Sequence, residues 1–167
     1  FIIAFLLIAS TVLAQTAKEI CDNGIDLKND GKYEEALTLF KKAISVDATY
    51  NEAYYQAAWC SNELEKYEDA LGFLNKYNPD NDDDRAYKAV EMGYSNYKLK
   101  NKDAAIESYK KALEYRPNYG TAYRGLGNVY YDNSEDADAL KYFELAMKYD
   151  EENSKDYYYT LGWLYND

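Results

Sequence analysis

Histidine is absent from the 167 residues of this chain, and its absence removes whole classes of chemistry. His-based catalytic triads, His general bases and His metal ligands are all excluded. Cysteine occurs only twice, and neither Cys21 nor Cys60 has a second cysteine at CxxC spacing. Because a reactive thiol typically needs such a neighbour or a basic partner, neither cysteine is predicted to be catalytic.

The two cysteines are instead predicted to be packed, unpaired thiols. The repeat register described below puts them on neighbouring helices but at different levels, whereas a disulfide needs Cα atoms within about 7 Å of each other. A disulfide is the alternative, because export from the cytoplasm would permit one.

Basic residues are few, with 19 lysines and arginines against 30 aspartates and glutamates, a net charge of −11. This charge argues against binding to nucleic acid and to anionic membrane surfaces. An acidic surface instead favours a protein partner with basic segments. Tyrosine, by contrast, is abundant at 21 residues, and its flat ring with one hydroxyl suits contact surfaces as well as cores.

Long apolar runs are also lacking, apart from the first 14 residues, FIIAFLLIASTVLA. This run is shorter than the roughly 20 residues of a membrane-spanning helix, and it ends in small residues before Gln15, as at a signal-peptide cleavage site. Residues 1–14 are therefore predicted to be a signal peptide without its initiator Met and basic n-region. The protein is expected to be secreted or periplasmic, or membrane-anchored if this segment is uncleaved.

An alanine recurs at intervals of 34, 35 and 34 residues, at Ala36, Ala70, Ala105 and Ala139. Twelve residues before each alanine comes a Gly or Ala, and four residues after it comes a large side chain. These large residues are Phe40, Leu74, Tyr109 and Phe143. A fixed period near 34 with this alternation of small and large residues indicates an array of structural repeats.

Apolar residues follow i, i+3, i+4, i+7 spacing between short polar breaks, which predicts helices throughout. The predicted helices are 17–29, 33–46, 51–64, 67–76, 84–99, 102–115, 120–132, 136–149 and 155–166. Connections of two to seven residues make neighbouring helices antiparallel. We expect the Gly or Ala of each first helix to face the recurring alanine of the second helix, and the large residue to fill the space toward the next pair.

These residues resemble the tetratricopeptide repeat family. The fourth repeat carries the family pattern most fully, with Tyr123, Leu126, Gly127, Tyr130, Ala139, Phe143 and Ala146. The resemblance covers residues 15–167, as repeats 17–50, 51–85, 86–119 and 120–153 and a half repeat 154–167. It implies an all-α fold, a right-handed α-solenoid of antiparallel helix pairs. The last segment is apolar around most of its circumference, so the natural protein is expected to continue beyond Asp167.

The resemblance also implies a concave groove lined by the first helix of each repeat. Carried onto this chain, the groove positions predict an aromatic surface that binds an extended peptide or an amphipathic helix. The predicted groove residues are Tyr55, Trp59, Asn62, Tyr87, Tyr94, Tyr97, Arg124, Asn128, Tyr131, Tyr159 and Trp163. The alternative for each ring is that it only packs against a neighbouring helix.

One subtype of the family binds C-terminal carboxylates through a clamp of Lys, Arg and Asn side chains. Arg124 and Asn128 match half of that clamp, but the next repeat holds Asp156 and Thr160 at the partner positions. Because an aspartate there would repel the ligand carboxylate, this clamp is not expected to be the main function.

The acidic run at 80–84 imitates part of a calcium loop, with Glu91 at the twelfth place. The sixth place, which needs Gly for its sharp turn, is Arg85. We therefore favour a helix-capping role for the run, because acidic residues stabilise the start of a helix. A calcium site is the alternative; no metal or cofactor is expected.

The sequence thus predicts a non-catalytic scaffold or adaptor that binds a protein or peptide in its groove. Two alternatives remain open. The repeats are the N-terminal interaction module of a longer enzyme or sensor, or the chain self-associates through its aromatic C-terminal face.

Overall fold

The computed structural model describes residues 2–150 together with 161, 162 and 164, and the side chains among them from residue 15 onward. Residues 2–150 form eight α-helices and no strand, which confirms the all-α class. The helices are α1 (Ile2–Asn29), α2 (Tyr33–Val46), α3 (Asn51–Glu63), α4 (Tyr67–Lys76), α5 (Asp82–Lys98), α6 (Lys102–Tyr115), α7 (Gly120–Tyr131) and α8 (Asp136–Tyr149).

The predicted helix bounds are confirmed for α2, α4, α6 and α8, and they differ by one or two residues for α3, α5 and α7. The predicted start of the first helix at 17 is wrong, because α1 already begins at Ile2. Residues 2–16 contain neither Gly nor Pro, so nothing in the sequence interrupts the helix. Of the predicted helix 155–166, only residues 161, 162 and 164 are described, and all three are helical.

Within the described part of the chain, no helix has both the length and the apolar character needed to cross a membrane.

The helices group into two compact units, Phe1–Asn78 and Pro79–Asp167. In the first unit α1 packs on α2 and α3 packs on α4, with α2 also against α3. In the second unit α5 packs on α6 and α7 packs on α8, while α7 contacts both α5 and α6. Each unit therefore contains two helix pairs in which the first helices lie side by side.

The core of the second unit is organised around Tyr109, which is almost completely buried. A Cβ placed on Gly93 would lie 2.7 Å from its ring, and Gly125 of the next pair also lies against the ring. The atoms nearest to Gly93 therefore belong to the aromatic residue, and the same ring reaches the next helix pair, as expected. A hydrogen atom at this position leaves the space that the ring fills.

The core of the first unit repeats this contact with Gly24 against Phe40. Cys21 and Cys60 are completely buried in the same unit, and both are free thiols. Burial raises the pKa of the Cys21 thiol to about 12 and that of the Cys60 thiol to about 11, because a thiolate would lose its hydration there. Both thiols are therefore packed, as predicted, and they are protonated at neutral pH.

The turn inside each helix pair has the same backbone form. Gly31, Glu65, Lys100 and Ser134 all have φ between 57° and 77°. The residue after each of them donates its N–H to the carbonyl five positions earlier, as in Lys32 N to Leu27 O and Lys66 N to Ser61 O. This is the Schellman ending of a helix, in which a left-handed residue closes the last turn. The 34-residue period thus extends to the turns.

The acidic run at 80–84 begins α5, two residues earlier than predicted. Asn81 is the residue that caps the helix, and its Oδ1 accepts from the Asp84 N–H at 2.9 Å. Asp82 and Asp84 lie in the first turn, and Arg85 pairs with Asp82 at 2.7 Å. The run therefore has the capping role that we favoured. Among the residues that the structure describes, no group of three or more His, Cys, Asp or Glu side chains could hold a metal ion.

Candidate functional site

Among the described residues of the second unit, three of the four large apolar side chains that are exposed lie on α5 and α7. Tyr87 and Tyr94 on α5 are 41% and 37% exposed, and Tyr131 at the end of α7 is 44% exposed. Among the described residues, Tyr149 is the other large apolar side chain that is exposed. Three of these four side chains occupy positions that the repeat register assigned to the groove. We call Tyr87, Tyr94, Arg124, Asn128 and Tyr131 the tyrosine face.

The two tyrosines of α5 are held by neighbours. The ring of Tyr87 meets that of Tyr119 edge-on, with centroids 5.5 Å apart, and the guanidinium of Arg116 lies 4.7 Å over Tyr119. The Lys98 ammonium lies 5.8 Å from the centre of the Tyr94 ring, one helical turn further along α5. Each ring therefore has a side-chain neighbour that favours its observed rotamer.

Tyr97 behaves differently from the other predicted groove tyrosines. Its hydroxyl donates to Asp132 Oδ2 at 2.8 Å, and Lys100 lies 3.6 Å from the same oxygen. Burial and this hydrogen bond raise the pKa of Tyr97 to about 12. A small cavity of about 150 Å³ adjoins the contact and is lined by Tyr97, Lys102, Asn133 and their neighbours. Tyr97 therefore ties the end of α5 to the end of α7, which fixes the spacing of the two helices.

Arg124 and Asn128 lie on α7, one turn apart, and both are partly exposed. Both side chains offer hydrogen-bond donors, the guanidinium five and the amide two. Arg124 is close enough to Tyr109 to lower the pKa of that hydroxyl, although burial outweighs this and raises the Tyr109 pKa overall. The other half of the carboxylate clamp, Asp156 and Thr160, lies outside the described residues.

The first unit has a smaller aromatic site around Trp59 on α3. The ring is partly buried, Tyr33 meets it edge-on at 5.5 Å, and the Lys28 ammonium lies 5.0 Å over its centre. Lys28 also donates to Gln56 Oε1 at 2.7 Å, and Gln56 donates to Glu52 Oε1 at 2.6 Å. The face of Trp59 is therefore already in contact with a cation of the chain itself.

Two predicted groove residues of the first unit, Tyr55 and Asn62, are partly or fully covered by neighbouring residues. Tyr55 packs against Tyr77, with ring centroids 5.5 Å apart. Asn62 is only 3% exposed, so its side chain is not available to a partner in this structure. Tyr159 and Trp163 lie outside the residues whose side chains are described.

Sequence reasoning missed the cation that covers Trp59. Lys28 is the twelfth residue of the first repeat, and applying the groove register to that repeat as well would have found it.

Sequence reasoning also missed a column of parallel tyrosine rings along α7 and α8. In this column Tyr130 stacks on Tyr142 at 5.3 Å, and Tyr123 stacks on Tyr142 at 6.4 Å and on Tyr149 at 5.6 Å. Tyr149 is thus part of a stack on the second helix of its pair.

Comparison with known proteins agrees with this geometry. A profile described as tetratricopeptide repeat matches residues 29–91, and one described as TPR repeat matches residues 93–134. TPR repeat-containing protein MJ1428 of Methanocaldococcus jannaschii is 28% identical over 143 residues, which are 83% of this chain and 24% of that protein. The chain thus spans about a quarter of the length of this curated relative.

Solved structures share the fold. A structure of MamA from Desulfovibrio magneticus RS-1 is 21% identical, with a TM-score of 0.73 over 81% of this chain and 76% of that one. The crystal structure of YrrB, described as a TPR protein with an unusual peptide-binding site, is 22% identical, with a TM-score of 0.67 over 88% of this chain and 75% of that one.

The two profile matches together span more than half of the chain, and the four left-handed turns repeat with the same period as the alanines. The chain belongs to the tetratricopeptide repeat family.

Proposed function

We propose that this chain is a non-catalytic interaction module that binds a peptide or protein segment on its tyrosine face. Proteins built from these repeats are generally protein-interaction scaffolds, and the solved relative YrrB is described by its peptide-binding site. The observation that carries the proposal is the exposure of Tyr87, Tyr94 and Tyr131 on neighbouring first helices. Exposed tyrosines are characteristic anchors of protein interfaces.

The packing beneath this face supports the same proposal. Tyr109 fills the space between the glycines of α5 and α7, and the hydrogen bond from Tyr97 to Asp132 joins the ends of these helices. A binding surface on helices that are packed in this way loses little conformational freedom when a partner binds. The Trp59 site of the first unit is a second, weaker contact region, since Lys28 already covers its ring.

The partner is a protein or peptide with basic segments. The chain carries a net charge of −11, and complementary charge speeds the encounter of two proteins. Neither nucleic acid nor an anionic membrane surface is part of the proposal. Because the chain spans about a quarter of its curated relative, it can act as the interaction module of a longer protein.

The proposed location is outside the cytoplasm, on the strength of residues 1–14 alone. Their composition fits a signal peptide that is cleaved between Ala14 and Gln15. Expression of the natural gene in its own host, followed by N-terminal sequencing of the product, tests this location. A mature chain that starts at Gln15 supports export, and an intact segment in the cytoplasmic fraction contradicts it.

Selection from a displayed library of random peptides tests the binding function. The selected peptides are then titrated against the full chain and its variants Trp59→Ala, Tyr94→Ala and Tyr149→Ala. We expect Tyr94→Ala to weaken binding about tenfold or more and Trp59→Ala to weaken it less, since truncated interface anchors commonly cost more than about 1 kcal/mol. Tyr149→Ala is the matched control, because it removes an equally exposed tyrosine from α8. Undiminished binding to the Tyr94→Ala variant would overturn the proposal.

A further inference from the structure

We infer that the occupant of the tyrosine face is a proline-rich segment in the polyproline II conformation, with a basic residue beside its prolines. This inference rests on the proposed function and adds the chemistry of the partner.

The exposed apolar surface consists of rings and not of aliphatic side chains. Within the described residues, every large apolar side chain that is exposed is a tyrosine. An amphipathic helix needs a groove that accepts Leu, Ile or Val anchors, whereas flat aromatic rings accept proline rings face to face. The surface therefore favours proline over aliphatic anchors.

The polar groups of the face include several donors. Arg124 contributes only donors, whereas the tyrosine hydroxyls and the Asn128 amide can both donate and accept. A polyproline II segment has no internal hydrogen bonds, and its proline residues carry carbonyl acceptors but no N–H. The face can therefore supply donors to the free carbonyl groups of a polyproline II backbone.

The spacing of the rings fits the same conformation. Tyr87 and Tyr94 are seven residues apart on α5, a rise of about 10.5 Å. Residues i and i+3 of a polyproline II helix lie on the same side and are about 9.3 Å apart. Two prolines separated by two residues can therefore contact both rings, while the intervening residues face solvent or α7.

Asp83 offers a partner for a basic residue of the ligand. It is exposed and lies one helical turn before Tyr87. Lys98 lies over Tyr94, and Arg116 lies over Tyr119, whose ring contacts Tyr87, so a cation is near both rings and the charges do not set the direction of the segment. The basic residue of the ligand is expected to pair with Asp83.

Fluorescence anisotropy with three labelled peptides of about 12 residues tests this assignment on the full chain. The first peptide has prolines at i and i+3 and one adjacent arginine, and the second has alanines in place of the prolines. The third is a leucine-based amphipathic helix of the same net charge. We expect the first peptide to bind about tenfold or more tightly than the other two. The other two peptides lack both the preformed polyproline II conformation and the proline rings that contact the tyrosines.

Variants locate the binding and separate the two proposals. Tyr94→Ala is expected to weaken the binding of the proline peptide about tenfold, and Tyr94→Phe is expected to weaken it less. The control Tyr149→Ala is expected to weaken this binding by less than about twofold. Asp83→Asn is expected to remove the preference for arginine over glutamine in the peptide. If the helical or alanine peptide binds best and still depends on Tyr94, the polyproline assignment fails while the proposed function stands. If no peptide binding depends on Tyr94, both fail.

Discussion

Gly93 of α5 and Tyr109 of α6 lie in such close contact that a Cβ on Gly93 would come within 2.7 Å of the tyrosine ring. The ring is buried, and it lies against Gly125 of the next helix pair as well. One aromatic side chain therefore sets the separation of α5, α6 and α7, and with it the geometry of the tyrosine face.

Replacement of Gly93 by alanine is expected to lower the free energy of unfolding by about 1–3 kcal/mol, because the added methyl group forces the Tyr109 ring or the helices to move. Urea unfolding followed by circular dichroism measures this change. Gly72→Ala is the matched control, since Gly72 is also helical but has no atom within 4 Å of an added Cβ. That variant is expected to gain up to about 1 kcal/mol from helix propensity. Equal effects of both substitutions would contradict the packing account.

The left-handed turns give a second prediction. Glu65 has a φ of 57° at the position where the first repeat has Gly31. Residues other than glycine are strained in this left-handed conformation. Glu65→Gly is expected to raise the free energy of unfolding by about 0.5–1 kcal/mol, and Gly31→Ala to lower it by about 1 kcal/mol. Thermal unfolding of the two variants provides the measurement. A loss of stability in Glu65→Gly would show that this turn is not strained.

The helix cap of α5 gives a third prediction. Asn81→Ala removes the acceptor of the Asp84 N–H and is expected to cost about 1 kcal/mol, whereas Asn81→Asp keeps an acceptor and most of the stability. Thermal unfolding with and without about 5 mM calcium tests the alternative role of the acidic run. We expect no calcium-dependent shift in the wild type. A rise in the melting temperature that the Asn81→Ala substitution abolishes would favour a metal site.

The two buried thiols predict how stability depends on pH. Their pKa values in the folded chain are about 12 for Cys21 and about 11 for Cys60, above the ordinary value of 9.0. Because the folded values are raised, the stability that these thiols confer is complete below pH 9 and is lost as the pH rises toward 11–12, by up to about 1.4 kcal/mol per pH unit for each thiol. Urea unfolding under reducing conditions between pH 8 and pH 10 measures the slope.

The variant with Cys21→Ala and Cys60→Ala supplies the control for this slope. It is less stable at pH 8 but should lose less stability between pH 8 and pH 10, since it lacks the two thiols that ionise more readily in the unfolded chain. The same slope in the wild type and in this variant would mean that the thiols do not titrate differently in the folded state.

The fold was predictable because the period of about 34 residues in the sequence is also the period of the helix pairs in the structure. Ala36, Ala70, Ala105 and Ala139 mark the second helix of each pair, and the structure has these helices with the predicted bounds. The left-handed conformation of Glu65, Lys100 and Ser134 was not predictable, because only Gly31 carries the glycine that usually signals it. Repetition of the whole pair imposes that conformation on the other three residues.

The candidate site was predictable only in part. The register found Tyr87, Tyr94 and Tyr131, which are exposed, but it also selected Asn62, which is buried. It could not show that the hydroxyl of Tyr97 bonds Asp132 or that Lys28 covers Trp59, because these contacts depend on rotamers of long side chains. A periodic pattern specifies the face on which a residue lies, while its availability depends on its neighbours.

Chemical-shift mapping of the full 19.3 kDa chain tests the central claim most directly. A peptide from the library selection is titrated into the ¹⁵N-labelled protein, and the perturbed amide signals are assigned to residues. The account predicts the largest changes around Tyr87, Tyr94, Asn128 and Tyr131 on α5 and α7, with little change around Tyr149 on α8. Perturbations confined to the second helices α6 and α8 would contradict it.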